Sequence, residues 1–343
     1  MHMRKQWYWL LSLSLAFCTT SALQAQEETP AEDPEGWEMG AGLGLDFAQL
    51  LQINPKQGAG QNRVGFGGAS NFFANYHKNR FNWDNMASWQ FGIQRLGAGI
   101  VAQGNETAPI PFQKAIDELR LGSKFGYQIS EDSKWAYAGN FTFLSQLTPT
   151  YQGTAEYPGN FLVDVFDTGQ TPLSKFFSPA TITLSLGVDY AATDNLSFYY
   201  SPIGAKFITV ADDSIAVLGV HGNPVERDAD GNVISFENTD AQIGSLLRMD
   251  YNNTFANDKM SFTSSLLLYS NYLDSPQNVD VDWTNQLAYE IFKNFQLTLL
   301  ANVFYDDNVL VQITDKNFPN GVNGLGKRVS VTQQLLLKYT AVF

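Results

Sequence analysis

An antiparallel up-and-down transmembrane β-barrel of about twelve strands, with long extracellular loops and short periplasmic turns, is the fold class this sequence predicts. Three observations carry that expectation. Apolar residues alternate with small or polar ones along nearly the whole chain, the pattern of a strand with two unlike faces. The links between these runs alternate between short and long. The composition, 25 Phe, 15 Tyr, 7 Trp and 28 Gly beside 16% charged residues, is aromatic-rich and charge-poor for a soluble protein of 343 residues.

Residues 1–25 read as a secretory signal peptide. Arg4 and Lys5 precede the apolar stretch Trp7 to Phe17, and Ser21, Ala22, Gln24 and Ala25 follow, with cleavage expected after Ala25 although Leu23 is bulky for its place. The one cysteine, Cys18, lies inside this segment behind Phe17, too large a neighbour for a lipoprotein anchor. Its loss with the signal peptide removes disulfides, thiolate metal sites and cysteine nucleophiles. Residues 26–35, acidic and proline-containing, form a flexible lead-in, and 36–343 form one barrel domain.

The strands follow in order. Trp37, Met39, Ala41, Leu43, Leu45 and Phe47 alternate with Glu38, Gly40, Gly42, Gly44, Asp46 and Ala48. Runs from Val64 to Tyr76, Trp83 to Ile93, Leu119 to Ile129 and Trp135 to Leu147 repeat the division, as do Ile182 to Tyr190, Leu196 to Val210, Ala241 to Tyr251 and Met260 to Tyr272. Val279 to Ile291 shows it most cleanly, and Phe295 to Tyr305 and Val329 to Phe343 complete twelve. By parity Leu43 and Leu287 face lipid, and Gln286 faces a watery lumen. Trp37, Trp83, Trp135 and Trp283, each near a strand end, are candidates for aromatic girdles.

Short links fall around Lys78 to Arg80, Ser130 to Lys134, Ala191 to Asn195, Asn253 to Asp258 and Lys293 to Asn294. Long ones run from Gly97 to Ala115, Thr148 to Ser178, Ala211 to Asp240 and Asp306 to Lys327, with only Asp274 to Asn278 short among the intervening links. An even strand count with this alternation puts both termini in the periplasm and leaves no open sheet edge in lipid. The last strand ends on Phe343 with Tyr339, Leu337 and Leu335 on its apolar face, the form of an outer-membrane assembly signal.

Several function classes are excluded. A formal charge of −13, from 21 Lys plus Arg against 34 Asp plus Glu, repels nucleic acid. No apolar run after residue 17 reaches the roughly 18 to 20 residues of a membrane helix. A membrane hydrolase needs His and Ser on one face, whereas His77 and Ser70 fall on opposite faces of one strand, and His221 reads as a solvated loop residue. Asp228, Asp230 and Asn232 alternate like calcium ligands, but the sixth position is Val233 and Glu237 is the tenth, so Asp230-Gly231 reads as a hairpin turn. Gly40, Gly42 and Gly44 lack the following helix of a dinucleotide site. No catalytic residue, cofactor or metal is expected.

The inward faces carry charge. Arg120 and Lys124 on the fourth strand stand opposite Asp280, Asp282 and Glu290 on the tenth in a closed ring of twelve. Two readings stay open: a channel or passive transporter whose opposed charges sort small polar solutes, or a filled barrel in which those charges pair with neighbours such as Gln128, Arg248 and Asp250 and the outside loops serve adhesion or assembly.

The stretches FNWDNMASWQFGIQRLG, KAIDELRLGSKFGYQI, SKFFSPATITLSLGVDY, LSFYYSPIGAKFITVADD and NVDVDWTNQLAYEI resemble the domain-of-unknown-function family 3078, outer-membrane barrels found chiefly in Bacteroidota. The resemblance spans roughly Gly36 to Phe343. Where the family carries Asn-Trp before a Gly-Gly pair, this sequence has Asn54-Pro55 and Gly58-Ala59-Gly60. It implies a barrel in the outer membrane of a Gram-negative bacterium, exported by the general secretory route, with outer-membrane lipid and the barrel-assembly machinery as partners. It implies no substrate and no catalytic residues.

Overall fold

The computed structural model describes residues 35–53, 63–95, 112–153, 160–165, 167–307, 311–315 and 322–342. The signal-peptide reading, most of the lead-in, Asn54 to Gly60 and Phe343 lie outside them. Twelve long strands close into one antiparallel barrel: β1 (Gly36–Ile53), β2 (Arg63–Lys78), β3 (Phe81–Arg95), β4 (Gln113–Gln128), β5 (Trp135–Ser145), β6 (Ala180–Ala191), β7 (Leu196–Thr209), β8 (Thr239–Phe255), β9 (Met260–Asn271), β10 (Asp280–Phe292), β11 (Phe295–Tyr305) and β12 (Ser330–Val342). Each strand pairs with its sequence neighbour, and β1 pairs with β12 through Leu45 opposite Tyr339 and Phe47 opposite Leu337. Closure leaves no sheet edge unpaired, as the alternation requires.

The apolar residues point outward. Met39, Leu43, Leu45, Phe66, Phe72, Leu186, Ile203 and Leu287 are all exposed on the exterior, the reverse of a soluble core. Leu335, Leu337 and Tyr339 share that face at the end of β12. At the end carrying the short turns, aromatic rings form a belt: Trp37 lies 5.3 Å from Tyr76 and 5.6 Å from Trp83, Trp135 lies 4.4 Å from Tyr190, and Phe295 lies 5.0 Å from Tyr339. Trp283 stands at the other, loop-bearing end. Two tryptophans are anchored by the same device. Trp83 Nε1 donates to Ser123 Oγ, which donates to Asn85; Trp283 Nε1 donates to Ser264 Oγ, which donates to Asn285. Polar groups on an apolar exterior thereby satisfy one another.

Inside, Gly40 makes room for a neighbour: a Cβ there would collide with the ring of Phe73, which lies flat over β1. The turn at Asn79 needs a left-handed backbone, φ 52°, which asparagine tolerates better than most residues.

Besides a register shift at Glu290/Phe292 beside the β10–β11 turn, two β-bulges break the period further along the strands. On β7, Ser201 and Pro202 span the interval that Gly187 alone spans on β6, so Tyr200 and Ile203 both face out and every later residue changes face. Ser201 is fully buried, with its Oγ 2.8 Å from the carbonyl oxygens of both Leu186 and Ile203, which share its single O–H proton. On β4, Ala115 is the extra residue, because Gly92 pairs with Ile116 and Ile93 with Lys114. Lys114 is thus turned to the exterior side. There it pairs with Asp117 at 2.9 Å, while Asp117 accepts from Trp89 Nε1 and from the backbone N–H groups of Leu147 and Thr148.

The β5–β6 and β7–β8 links pack into one body above the barrel. Ala211 N–H donates to the Phe177 carbonyl, Asp212 N–H to Ser178 Oγ, and Lys175 pairs with Asp212. The short helix α1 (Asp213–Ala216) is capped by Asp212 and buries Ile215 and Ala216 against Val210. His221 is not a solvated loop residue. It bonds the Leu173 carbonyl at 2.7 Å, and burial pushes its imidazole below the ordinary pKa. The Asp230-Gly231 turn forms as read, with Gly231 at φ 87° and Asp228 accepting from the N–H groups of Asp230 and Asn232.

Candidate functional site

The lumen gathers the charges that twelve strands turn inward. Arg120 and Lys124 on β4 and Asp280, Asp282 and Glu290 on β10 all have inward register, as the alternation predicts. The structure separates the two sets by what holds them. Arg120 pairs with Glu118 two residues up its own strand at 2.9 Å. Lys124 pairs with Asp189 of β6 at 2.9 Å and lies 5.4 Å from the centre of the Tyr199 ring. Both cations are therefore neutralised on their own side of the barrel.

The carboxylates of β10 differ. Asp282 accepts from Asn302 Nδ2 at 2.7 Å. Among the described residues, neither Asp282 nor Glu290 has a cation within ion-pair distance. Asp280 is reached by Lys206 from β7 at 3.8 Å, and the same ammonium is 3.7 Å from Asp306. The β4 wall is compensated and the β10 wall carries net negative charge, so the opposed-wall arrangement reduces to one anionic side.

Packing is uneven along the axis. Arg120 and Glu118, midway along β4, keep 31% and 32% of their side-chain surface accessible, so the middle of the barrel has room beside them for water. Nearer the turn end the inward side chains pack more closely. Asp189 is only 4% accessible, Arg248 pairs with Asp250 at 3.3 Å, Ser265 Oγ donates to Asp250 at 2.6 Å, and His77 faces Asp84 at 3.9 Å while bonding Asn82. Ala138, Tyr199, Leu246 and Tyr269 form a buried apolar cluster on the inner wall of β5 and β7 to β9. Gln286 faces inward but is 4% exposed, so it occupies packed interior instead of lumen water.

Sequence reasoning missed Asp189, Asp84 and Lys206. The first two alternate correctly and were legible as inward. Lys206 was not, because parity counted from Phe198 and Tyr200 turns it outward; Pro202, a residue that strands tolerate at bulges, was the available signal.

A closed twelve-stranded barrel with an apolar exterior and a charged interior is the class of protein that this fold and site define. Within it, residues 51–151 match the family model described as Protein of unknown function (DUF3078), in agreement with the resemblance read from the sequence. No curated protein matches the chain. Among solved structures, the chain is similar to the COG4313 outer membrane channel from Pseudomonas putida, at 12% identity and TM-score 0.39, over 91% of this chain and 100% of that one. It is similar to the translocator domain of the autotransporter NalP from Neisseria meningitidis at 8% identity and TM-score 0.37, over 90% and 89%. It is similar also to the NanC porin at 12% identity and TM-score 0.35, over 86% and 98%.

Proposed function

We propose that this chain spans the outer membrane of a Gram-negative bacterium and conducts small polar solutes, cations in preference to anions. Export by the secretory route with removal of residues 1–25, and insertion by the barrel-assembly machinery reading Leu335, Leu337, Tyr339 and Phe343, belong to the same proposal. The apolar exterior with its aromatic belt supports the membrane reading. One observation carries the conductance: Arg120 and Glu118 in mid-barrel keep 31% and 32% of their side-chain surface accessible, across from a strand whose Asp282 is held by an asparagine and not by a cation. In a lumen walled by low-dielectric protein, uncompensated carboxylates raise the local cation concentration. The closer packing at the turn end limits passage to small solutes.

A second reading rests on the fused loop body, locked by the Lys175–Asp212 pair and the His221–Leu173 bond. A fixed external surface suits adhesion or assembly on a barrel that passes nothing. Purified protein in a planar bilayer separates the two. Discrete current steps from a preparation whose gel migration is heat-modifiable support the channel; a folded but silent barrel supports the loop reading.

A further inference from the structure

Lys206 is the one inward charge whose place depends on the β7 bulge, and it is held unlike the others. Its ammonium reaches from β7 toward β10 and the end of β11, three and four strands around the ring, and so stretches across the loop-end mouth. It meets Asp280 at 3.8 Å and Asp306 at 3.7 Å, with the Tyr269 ring centre 5.4 Å away. Lys124 by contrast holds Asp189 at 2.9 Å with a hydrogen bond. Carboxylate oxygens of Asp280, Asp306 and Asp307 lie within 4.8 Å of one another, and Asp307 is engaged by Lys327 at 3.9 Å and by Asn278. One ammonium is therefore shared by two carboxylates at the edge of ion-pair distance. Its flexible four-carbon stem lets the ammonium shift between partners.

We propose that Lys206 is the specificity-determining residue of the mouth: a tethered cation standing where a permeating cation enters, which lowers cation flux and tempers selectivity. The proposal rests on the channel reading. A cation arriving from outside competes with the ammonium for Asp280 and Asp306, and the Tyr269 face holds the displaced ammonium nearby, ready to return. Anions meet the remaining carboxylates in either state.

The test is single-channel recording in potassium chloride of the wild type, Lys206→Met, Lys206→Gln and Lys206→Arg, each first checked for heat-modifiable migration. Removing the charge is expected to raise potassium conductance about threefold or more and to move the reversal potential further toward potassium, with Arg retaining wild-type behaviour. Equal conductance and reversal potential in all four overturns the role of Lys206 and leaves the channel standing. Silence in all four, with the fold intact, overturns both.

Discussion

The two charged walls of the lumen, β4 and β10, look alike in sequence and differ in consequence. Each turns two or three ionised side chains inward at alternate positions. On β4 each cation has a carboxylate at 2.9 Å, one from its own strand and one from β6. On β10, Asp282 has an asparagine, and Asp280 shares a distant lysine with Asp306. The first wall spends its charge on structure. The second leaves Asp282 without an ion pair among the described residues. A buried ion pair is weak evidence for stability in itself, but removing one partner exposes the full cost of the other; Asp282, held by a neutral amide, has no charged partner to strand.

That contrast is broken most forcefully at Lys124. Lys124→Met leaves Asp189 almost wholly buried beside an apolar residue and is expected to lower the stability of the refolded barrel by about 3 kcal/mol. The urea midpoint of the heat-modifiable band measures it. Asp282→Asn, the matched change on the other wall, is expected to stay within about 0.5 kcal/mol. Comparable losses in the two would erase the distinction between the walls.

Turning β10 over sharpens the comparison from outside. Leu287→Arg places a cation on the exterior beside the inward Gln286, at a cost of roughly 2–4 kcal/mol near mid-membrane. Refolding yield into lipid vesicles is expected to drop accordingly, and normal yield would put that face in water. A smaller effect belongs to the tryptophan anchors: Ser264→Ala removes the acceptor of Trp283 Nε1 and costs about 1 kcal/mol by the same urea assay.

The smallest expected effect lies in the loops. Asp212, bonded to Lys175 and Ser214, has its carboxyl held down to about 2. A depressed pKa in the folded state stabilises above the ordinary carboxylate value near 3.8 and is lost as pH falls toward about 2. Protection of the Asp212 and Ser214 amides against hydrogen exchange is therefore expected to hold from neutral pH to near 4 and to decline below it. The barrel strands remain protected. Decline centred near neutral pH would point to another group.

Strand number, closure, the outward face and the inward charges of β4 and β10 were legible because period two is a local signal that survives without knowledge of partners. Gln113 to Glu118 escaped the run that begins at Leu119, since the Ala115 bulge turns Lys114 to the other side. Lys206 escaped for the same reason on β7. Which charges are neutralised was illegible for a different cause. Lys124 and Asp189 are 65 positions apart and meet only because β4 and β6 flank β5 in the closed ring. His221 read as solvated because nothing local announces that the β5–β6 link folds over it.

The central claim, that the β10 wall carries uncompensated charge into a water-filled lumen, is tested most directly by reversal potential across a tenfold potassium chloride gradient. The wild type is expected to reverse at the potential of a cation-preferring pore. Asp280→Asn with Asp282→Asn should move it toward the anion side, and Glu118→Gln on the compensated wall should move it the same way by less, because Arg120 is thereby released. An anion-preferring wild type, or a conducting double variant with an unchanged reversal potential, would contradict the account.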